Sequence, residues 1–223
     1  MRATQGIAER GPAVRVLIAD DHPIVRRGLK QVLESEADMV VVGEATDGDE
    51  ALKLVRKLDW DVAVLDYSMP GKSGLDLIQE IKKQHPKRPV LVLSMFPEES
   101  HAARVYKGGA EGYINKESAG EELAAAIRKV VRGGKYVSPT FAEKLVSELG
   151  SDAERPLHET LTDREYRVMW LLACGKQINQ IAAALFLSPS TISTYRTRIL
   201  KKLNLTDNAA LVRYAVKQQL IEG

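Results

Sequence analysis

The chain has 223 residues, with 32 Lys and Arg against 30 Asp and Glu and a formal net charge of +2. At 44% hydrophobic and 28% charged it carries enough apolar material for one large domain or two small ones, so composition excludes a disordered chain. Its single cysteine, Cys174, excludes an internal disulfide and any multi-cysteine zinc or iron–sulfur centre, and fits a reducing compartment.

Met1–Pro12 has mixed charge and no hydrophobic centre, so it reads as a frayed tail and not as a secretory signal. No later apolar run approaches the ~18–20 residues that span a bilayer. A cytoplasmic location is expected. From Val14 onward, short apolar runs alternate with amphipathic stretches. The runs are Val14–Ala19, Met39–Gly43, Val62–Leu65, Val90–Leu93 and Gly112–Ile114. Rich in Val, Ile and Leu and bounded by polar or turn residues, they read as buried strands of a parallel sheet. Helix-period segments lie between and after them at Ile24–Glu34, Gly48–Leu58, Gly74–Lys83, Ser100–Lys107 and Gly120–Arg132. Five strand–helix units in succession predict an α/β, doubly wound, five-stranded parallel sheet with helices on both faces, over residues 13–135.

Gly133–Gly134 ends the fifth helix. Thr140–Leu149 has weaker helical character, and Gly150–Glu159 is polar, contains Pro156 and lacks periodicity. Residues 136–159 are therefore read as a partly helical linker. Beyond Thr160 no strand signal remains. Helices are expected at Asp163–Cys174, Ile178–Leu185, Pro189–Leu203 and Asn208–Gln218, giving a small all-α four-helix domain over 160–223. Thr162 with Glu165 has capping-box spacing, and Ser188–Pro189 offers an N-cap followed by a first helical proline.

The near-neutral charge is unevenly placed. Residues 1–155 hold 23 basic and 25 acidic residues, a balance of −2; residues 156–223 hold 9 and 5, a balance of +4. That asymmetry suggests two domains with different partners and makes nucleic acid a lead for the second.

In the first domain, Asp20 and Asp21 close the first strand and Asp66 closes the third. If those strands are neighbours, three carboxylates converge at the carboxyl edge of the sheet, where ligands of such folds bind. Clustered like charges repel unless a cation sits among them, and carboxylate oxygens suit Mg²⁺. Ser94 ends the fourth strand and Lys116 follows the fifth, so a hydroxyl and an ammonium share the rim. That is what a phosphoryl group on a carboxylate would need. Taken singly, each residue has a plainer reading: Asp21 or Asp66 as a helix N-cap, Ser94 as a turn residue, Lys116 as a solvated lysine. His22 reads as a turn residue ahead of Pro23.

Asp20–Asp21, Asp66 with Met69–Pro70 and Gly74, Ser94, and Gly112–Tyr113 with Lys116 fall in one order along successive strands. Over Arg15–Arg132 this ordered set resembles the receiver domain of response regulators, which implies a flavodoxin-like fold. The resemblance implies that Asp66 accepts a phosphoryl group from a histidine kinase. It also implies that Asp20, Asp21, Asp66 and the backbone carbonyl of Ser68 hold Mg²⁺, and that Lys116 and Ser94 bind phosphoryl oxygens. Ser94 and Tyr113 then form the switch, with the ring burying as the hydroxyl moves inward; the plainer reading of Tyr113 is a half-buried strand aromatic. Ser68 and Phe96 occupy rim positions that influence access of water to the phosphoryl group. An aspartyl phosphate adds about −1.5 to −2 of charge by analogy with other phosphorylated residues, a local event that can bias a two-state element.

In the second domain, Ile178–Leu185, the turn Phe186–Ser188 and Pro189–Leu203 have helix-turn-helix proportions. The second of these helices carries Arg196, Arg198, Lys201 and Lys202 and no acidic residue. Ile192, Ile199, Leu200 and Leu203 recur at helical spacing and would face a core, which leaves Ser193, Thr194 and Thr197 outward among the bases. Such a face suits phosphates and base edges, although a basic helix face is also simply a solvated one. Leu161–Thr162, Arg164–Glu165, Gly175, Ile181–Ala182, Leu185, Ser188, Thr191–Ile192 and Lys202–Leu203 resemble the LuxR-type DNA-binding domain. With the receiver, this is the NarL/FixJ architecture over nearly the whole chain. By position in that pattern Ser193, Thr194 and Thr197 face base edges, while Thr191, Arg196, Arg198 and Lys201 mainly hold phosphates. Tyr195, Gln180 and Asn208 depart from a commonly seen His, Glu and Arg.

The resulting expectation is a two-component response regulator and transcription factor, not a dedicated enzyme. Its partners are a histidine kinase, double-stranded promoter DNA and, when active, a second copy bound through the last helix. Two rivals use the same residues: a Mg²⁺-dependent phosphoaspartate hydrolase or phosphotransferase, and a DNA-binding protein whose receiver is a constitutive dimer module.

Overall fold

A computed structural model describes residues 13–69, 72, 74–95, 98–138, 141–143, 156–185, 187–218 and 220–221. The tail Met1–Pro12, Pro70, Phe96 and most of the expected linker (139–140 and 144–155) lie outside these residues. The chain divides into two compact units, Met1–Val137 and Ser138–Gly223.

The first unit is built on five parallel strands, β1 (Val14–Ala19), β2 (Met39–Ala45), β3 (Val62–Asp66), β4 (Val90–Ser94) and β5 (Gly112–Asn115), in the order β2-β1-β3-β4-β5. Each strand is followed by a helix: α1 (Pro23–Glu34), α2 (Gly48–Lys57), α3 (Gly74–Gln84), α4 (Glu98–Lys107) and α5 (Ala119–Val131). The sheet is parallel because every connection is a helical crossover, too long for a hairpin. All residues of β3 and β4 are buried, as expected of central strands covered on both faces. Alternate side chains separate the layers. Val16, Ile18, Val62, Val64, Leu91, Leu93 and Ile114 pack with Leu29, Leu33, Leu123 and Ile127 of α1 and α5. The intervening Leu17, Ala63, Leu65, Val92 and Tyr113 point to the other face, where α2, α3 and α4 contribute Val55, Ile78 and Val105.

Because β1 and β3 are neighbours, paired from Val16↔Val62 to Ala19↔Leu65, Asp20 and Asp66 end adjacent strands at one edge. The sheet extends past the expected run ends: β2 reaches Ala45, and β5 reaches Asn115 opposite Ser94. Beyond α5 the chain returns to the outer edge of the sheet. Tyr136 forms an isolated parallel bridge with Gly112, donating its N–H to the Glu111 carbonyl at 2.8 Å. Its own carbonyl accepts the Tyr106 hydroxyl at 2.6 Å, and its hydroxyl donates to Glu122 at 2.8 Å.

In the second unit a 3₁₀ turn, Leu157–Thr160, precedes α6 (Asp163–Ala173), α7 (Ile178–Ala184), α8 (Pro189–Lys202) and α9 (Asn208–Lys217). The turn's first three residues fall in the stretch read as aperiodic. Its residue His158 donates its backbone N–H to the Tyr214 hydroxyl on α9, and its Nδ1 lies 3.0 Å from the same oxygen. Ser188 caps α8 through the Thr191 N–H. The Thr162–Glu165 capping box closes both ways on α6. Leu161, Met169, Leu172, Ile181, Ile192, Ile199, Leu203 and Leu211 form the core. No helix among the described residues is long and apolar enough to cross a membrane.

Candidate functional site

The acids gather where the topology places them. Asp20, just past β1, is 0% exposed, and Asp66, the last residue of β3, is 1% exposed. Lys116, just past β5, reaches across with Nζ 2.8 Å from Asp20 Oδ2 and 2.8 Å from Asp66 Oδ2. Its backbone N–H is fixed to the Ser94 carbonyl at 2.8 Å, so β4 sets where the lysine starts. The other oxygen of Asp66 accepts the Ser68 N–H at 2.9 Å, and Asp20 Oδ1 accepts the His22 N–H at 2.8 Å. Asp21 is not a helix cap; the N-cap of α1 is His22, with Pro23 next.

Sequence reasoning placed His22 merely in a turn. The structure turns its ring into the cluster, with Nδ1 2.8 Å from Asp21 Oδ1 and 3.3 Å from Asp20 Oδ1. The dipeptide His22–Pro23 carried no signal for that, because a side chain's direction at an N-cap depends on the partner it finds. Ligand atoms of Asp20, Asp21, His22 and Asp66 all lie within 4.8 Å of one another. Two buried carboxylates, Asp20 and Asp66, with the half-buried Asp21 beside them form an oxygen-rich set that fits a small hard divalent cation, while His22 stands exposed at its mouth.

The electrostatics follow from burial. Withdrawal from water pushes the Asp66 carboxyl up to about 6, with Asp20 adding to the rise and Lys116 opposing it. Burial pulls the Lys116 ammonium down, but Asp66 and Asp20 outweigh it and leave its pKa above the ordinary value. One ammonium therefore stands between two buried carboxylates, close enough to follow any charge added at Asp66. Ser94, the last residue of β4, is fully buried. Tyr113, paired with Val92 in the next strand, is already buried at 1% exposure, further in than a half-buried strand aromatic. Phe96, the other rim position, lies outside the described residues.

On α8 the apolar residues face the core and the expected polar face is outward. Ser193, Thr194, Thr197, Arg198 and Lys201 are exposed, and Thr191 and Arg196 are half-buried. The three hydroxyls expected at base edges are engaged along the helix. Ser193 donates to the Pro189 carbonyl, Thr194 to Ser190 and Thr197 to Ser193, at 3.0, 3.0 and 3.1 Å. In that state each offers only lone pairs outward, which match base amino groups and not base carbonyls. Lys202 is turned away from this face and pairs with Glu165 at 2.6 Å.

The family model described as "Response regulator receiver domain" matches residues 16–128, and "Bacterial regulatory proteins, luxR family" matches residues 159–215. The oxygen regulatory protein NreC of Staphylococcus carnosus is 37% identical over 216 residues, covering 94% of this chain and all of NreC. The chain belongs to the NarL/FixJ-type response regulators. Among solved structures, the response regulator RcsB of Salmonella typhimurium aligns with a TM-score of 0.58 and 30% identity over 93% of this chain and all of RcsB. RcsB bound to a promoter in the presence of phosphomimetic BeF₃⁻ aligns at 0.63 and 30% identity, covering 92% of this response regulator and 98% of that chain. This response regulator therefore has a receiver and a LuxR-type DNA-binding domain, the make-up of a transcription regulator and not of a classical enzyme.

Proposed function

We propose that this response regulator is a phosphorylation-controlled transcription factor with a receiver over residues 13–135, a linker over 136–159 and a DNA-binding domain over 160–223. The observation that carries the reading is the Lys116 ammonium set 2.8 Å from both Asp20 and Asp66 at the carboxyl edge of the sheet. An oxygen of Asp66 attacks the phosphorus of a kinase phosphohistidine; the P–N bond breaks and the imidazole leaves with the electron pair. Asp20, Asp21, Asp66 and the Ser68 carbonyl are the residues that would hold Mg²⁺, which when bound neutralises charge on the phosphoryl oxygens. Lys116 gives up part of its pairing with Asp66 to take one phosphoryl oxygen, and the Ser94 hydroxyl takes another. With that hydroxyl drawn to the phosphoryl group, the buried pose of Tyr113 is the one favoured.

The return reaction is attack of water on the phosphorus, with Asp66 leaving as carboxylate. Binding to promoter DNA follows from the exposed face of α8, in a cytoplasmic homodimer joined through α9. DNA complexes of RcsB, including one with two RcsB dimers on two parallel DNAs, support this.

The test is incubation with a small phosphodonor and Mg²⁺. One acid-stable, base-labile phosphoryl group is expected per chain, absent in Asp66→Asn, together with tighter promoter binding by the wild type alone. Continuous turnover of the donor without a stable phosphoprotein favours the hydrolase. Equal promoter affinity of the treated wild type and Asp66→Asn favours the constitutive module.

A further inference from the structure

The sequence sets Asn208 where an arginine is common, and the structure gives it a partner. Arg196, half-buried on α8, donates from Nε to the side-chain oxygen of Asn208 at 2.6 Å. The contact crosses the turn between the two helices, where Asn204 holds the left-handed conformation at φ 54°. Asn208 is the first residue of α9, and that helix end is firmly built. Asp207 caps it by accepting the Ala210 N–H at 2.8 Å, and Thr206 donates to the other Asp207 oxygen. The acceptor thus sits on a fixed backbone, while the arginine it holds extends from the helix assigned to DNA.

We propose that Asn208 is a positioning residue that orients the Arg196 guanidinium for a DNA phosphate. The inference rests on the reading of Arg196 as a phosphate holder. A guanidinium carries five N–H donors in a plane. With Nε committed to Asn208, the terminal nitrogens keep four donors in a fixed fork, the geometry that phosphate oxygens match. An arginine at 208 could not do this, since it has no acceptor and carries like charge. This chain therefore trades a second cation at the turn for a better oriented first one.

The test is promoter binding by the full chain across a salt series, for wild type, Asn208→Ala, Arg196→Ala and the double variant. Arg196→Ala should weaken binding and flatten the log K against log[salt] line by about 0.9 per half-site, one phosphate contact. Asn208→Ala should weaken binding about 2- to 12-fold per half-site, the cost of ordering a long side chain on binding, with the salt slope kept. In the Arg196→Ala background the same change should do nothing.

A loss from Asn208→Ala that is equal in both backgrounds overturns the positioning role and makes Asn208 a contact of its own. No change of affinity or slope in Arg196→Ala overturns the phosphate reading itself. A DNA-free readout stands beside these: the Arg196 Nε–H resonance should be slow to exchange with solvent in the wild type and fast in Asn208→Ala. Equal exchange rates overturn the clamp. Alanine at an exposed first helical position leaves the fold intact, which a melting curve checks.

Discussion

Glu165 joins the start of α6 to the end of the DNA-facing helix, and its removal has a calculable effect. Its Oε2 accepts the Thr162 N–H at 2.8 Å, the Thr162 hydroxyl at 3.0 Å and the Lys202 ammonium at 2.6 Å, while the residue is only 4% exposed. Glu165→Ala loses half of a capping box, worth about 1 kcal/mol. It also loses one buried methylene, about 0.8 kcal/mol, and an ion pair discounted to a few tenths because the Lys202 side chain is 39% exposed. The total is about 2 kcal/mol. For a unit of this size that lowers the melting temperature by about 8–16 °C, read by calorimetry in the transition of the helical unit.

Glu165→Gln keeps an acceptor and loses the charge, which adds a pH signature. Burial raises the Glu165 pKa, but Lys202 and the Thr162 bonds outweigh it and hold the folded value below the ordinary 4.5. The stabilisation is therefore fully present above about pH 4.5 and is lost as pH falls through the folded value. Wild type and Glu165→Gln should differ at pH 7 and converge as pH falls through the folded value, below 4.5. A shift under about 3 °C for Glu165→Ala, or a Glu165→Gln deficit that survives at low pH, would refute the reasoning.

Three other outcomes are expected. Gly48→Ala places a better helix former in α2, but its Cβ would overlap the Lys72 carbonyl beyond Asp66; a loss of about 1–3 kcal/mol in place of the usual gain is expected in denaturant melts. Mg²⁺ should raise the melting temperature of the receiver unit by mass action and Asp21→Asn should blunt the rise, measured by calorimetry with and without chelator. Arg198→Ala should weaken promoter binding uniformly across sequences and flatten the salt dependence by about 0.9 per half-site, measured by anisotropy; a sequence-selective loss would instead make Arg198 a base reader.

What the sequence made legible was whatever a local period or a strand end encodes. The fully apolar β3 and β4 were plain, and so was Asp66 at the end of one of them. The capping box needed only Thr162 and Glu165 three residues apart. The apolar run that marks β2 stops at Gly43, yet the strand continues through the charged Glu44 to Ala45. The Glu44 carboxylate is neutralised by Lys30 at 2.7 Å, a partner on another element. The turn Leu157–Thr160 was hidden because i→i+3 bonding leaves no 3.6-residue period. The ties of Lys202 to Glu165 and of Arg196 to Asn208 were invisible for the same reason as Lys30 with Glu44. Each joins residues whose nearness is a property of packing and not of spacing.

The bridge of Tyr136 to β5 also sets a length. Helix α5 ends at Val131, but the chain is pinned to the sheet again at Tyr136, by the Glu111 carbonyl on one side and the Tyr106 hydroxyl on the other. The chain is thus held to the sheet as far as Tyr136, one residue before the first unit ends at Val137. Releasing that pin would pay out Arg132–Tyr136, five residues and about 16–18 Å of extended reach. The effective concentration of one unit around the other depends steeply on such reach. Three hydrogen bonds of Tyr136, to Glu111, from Tyr106 and to Glu122, therefore act as a cleat that holds those five residues to the receiver.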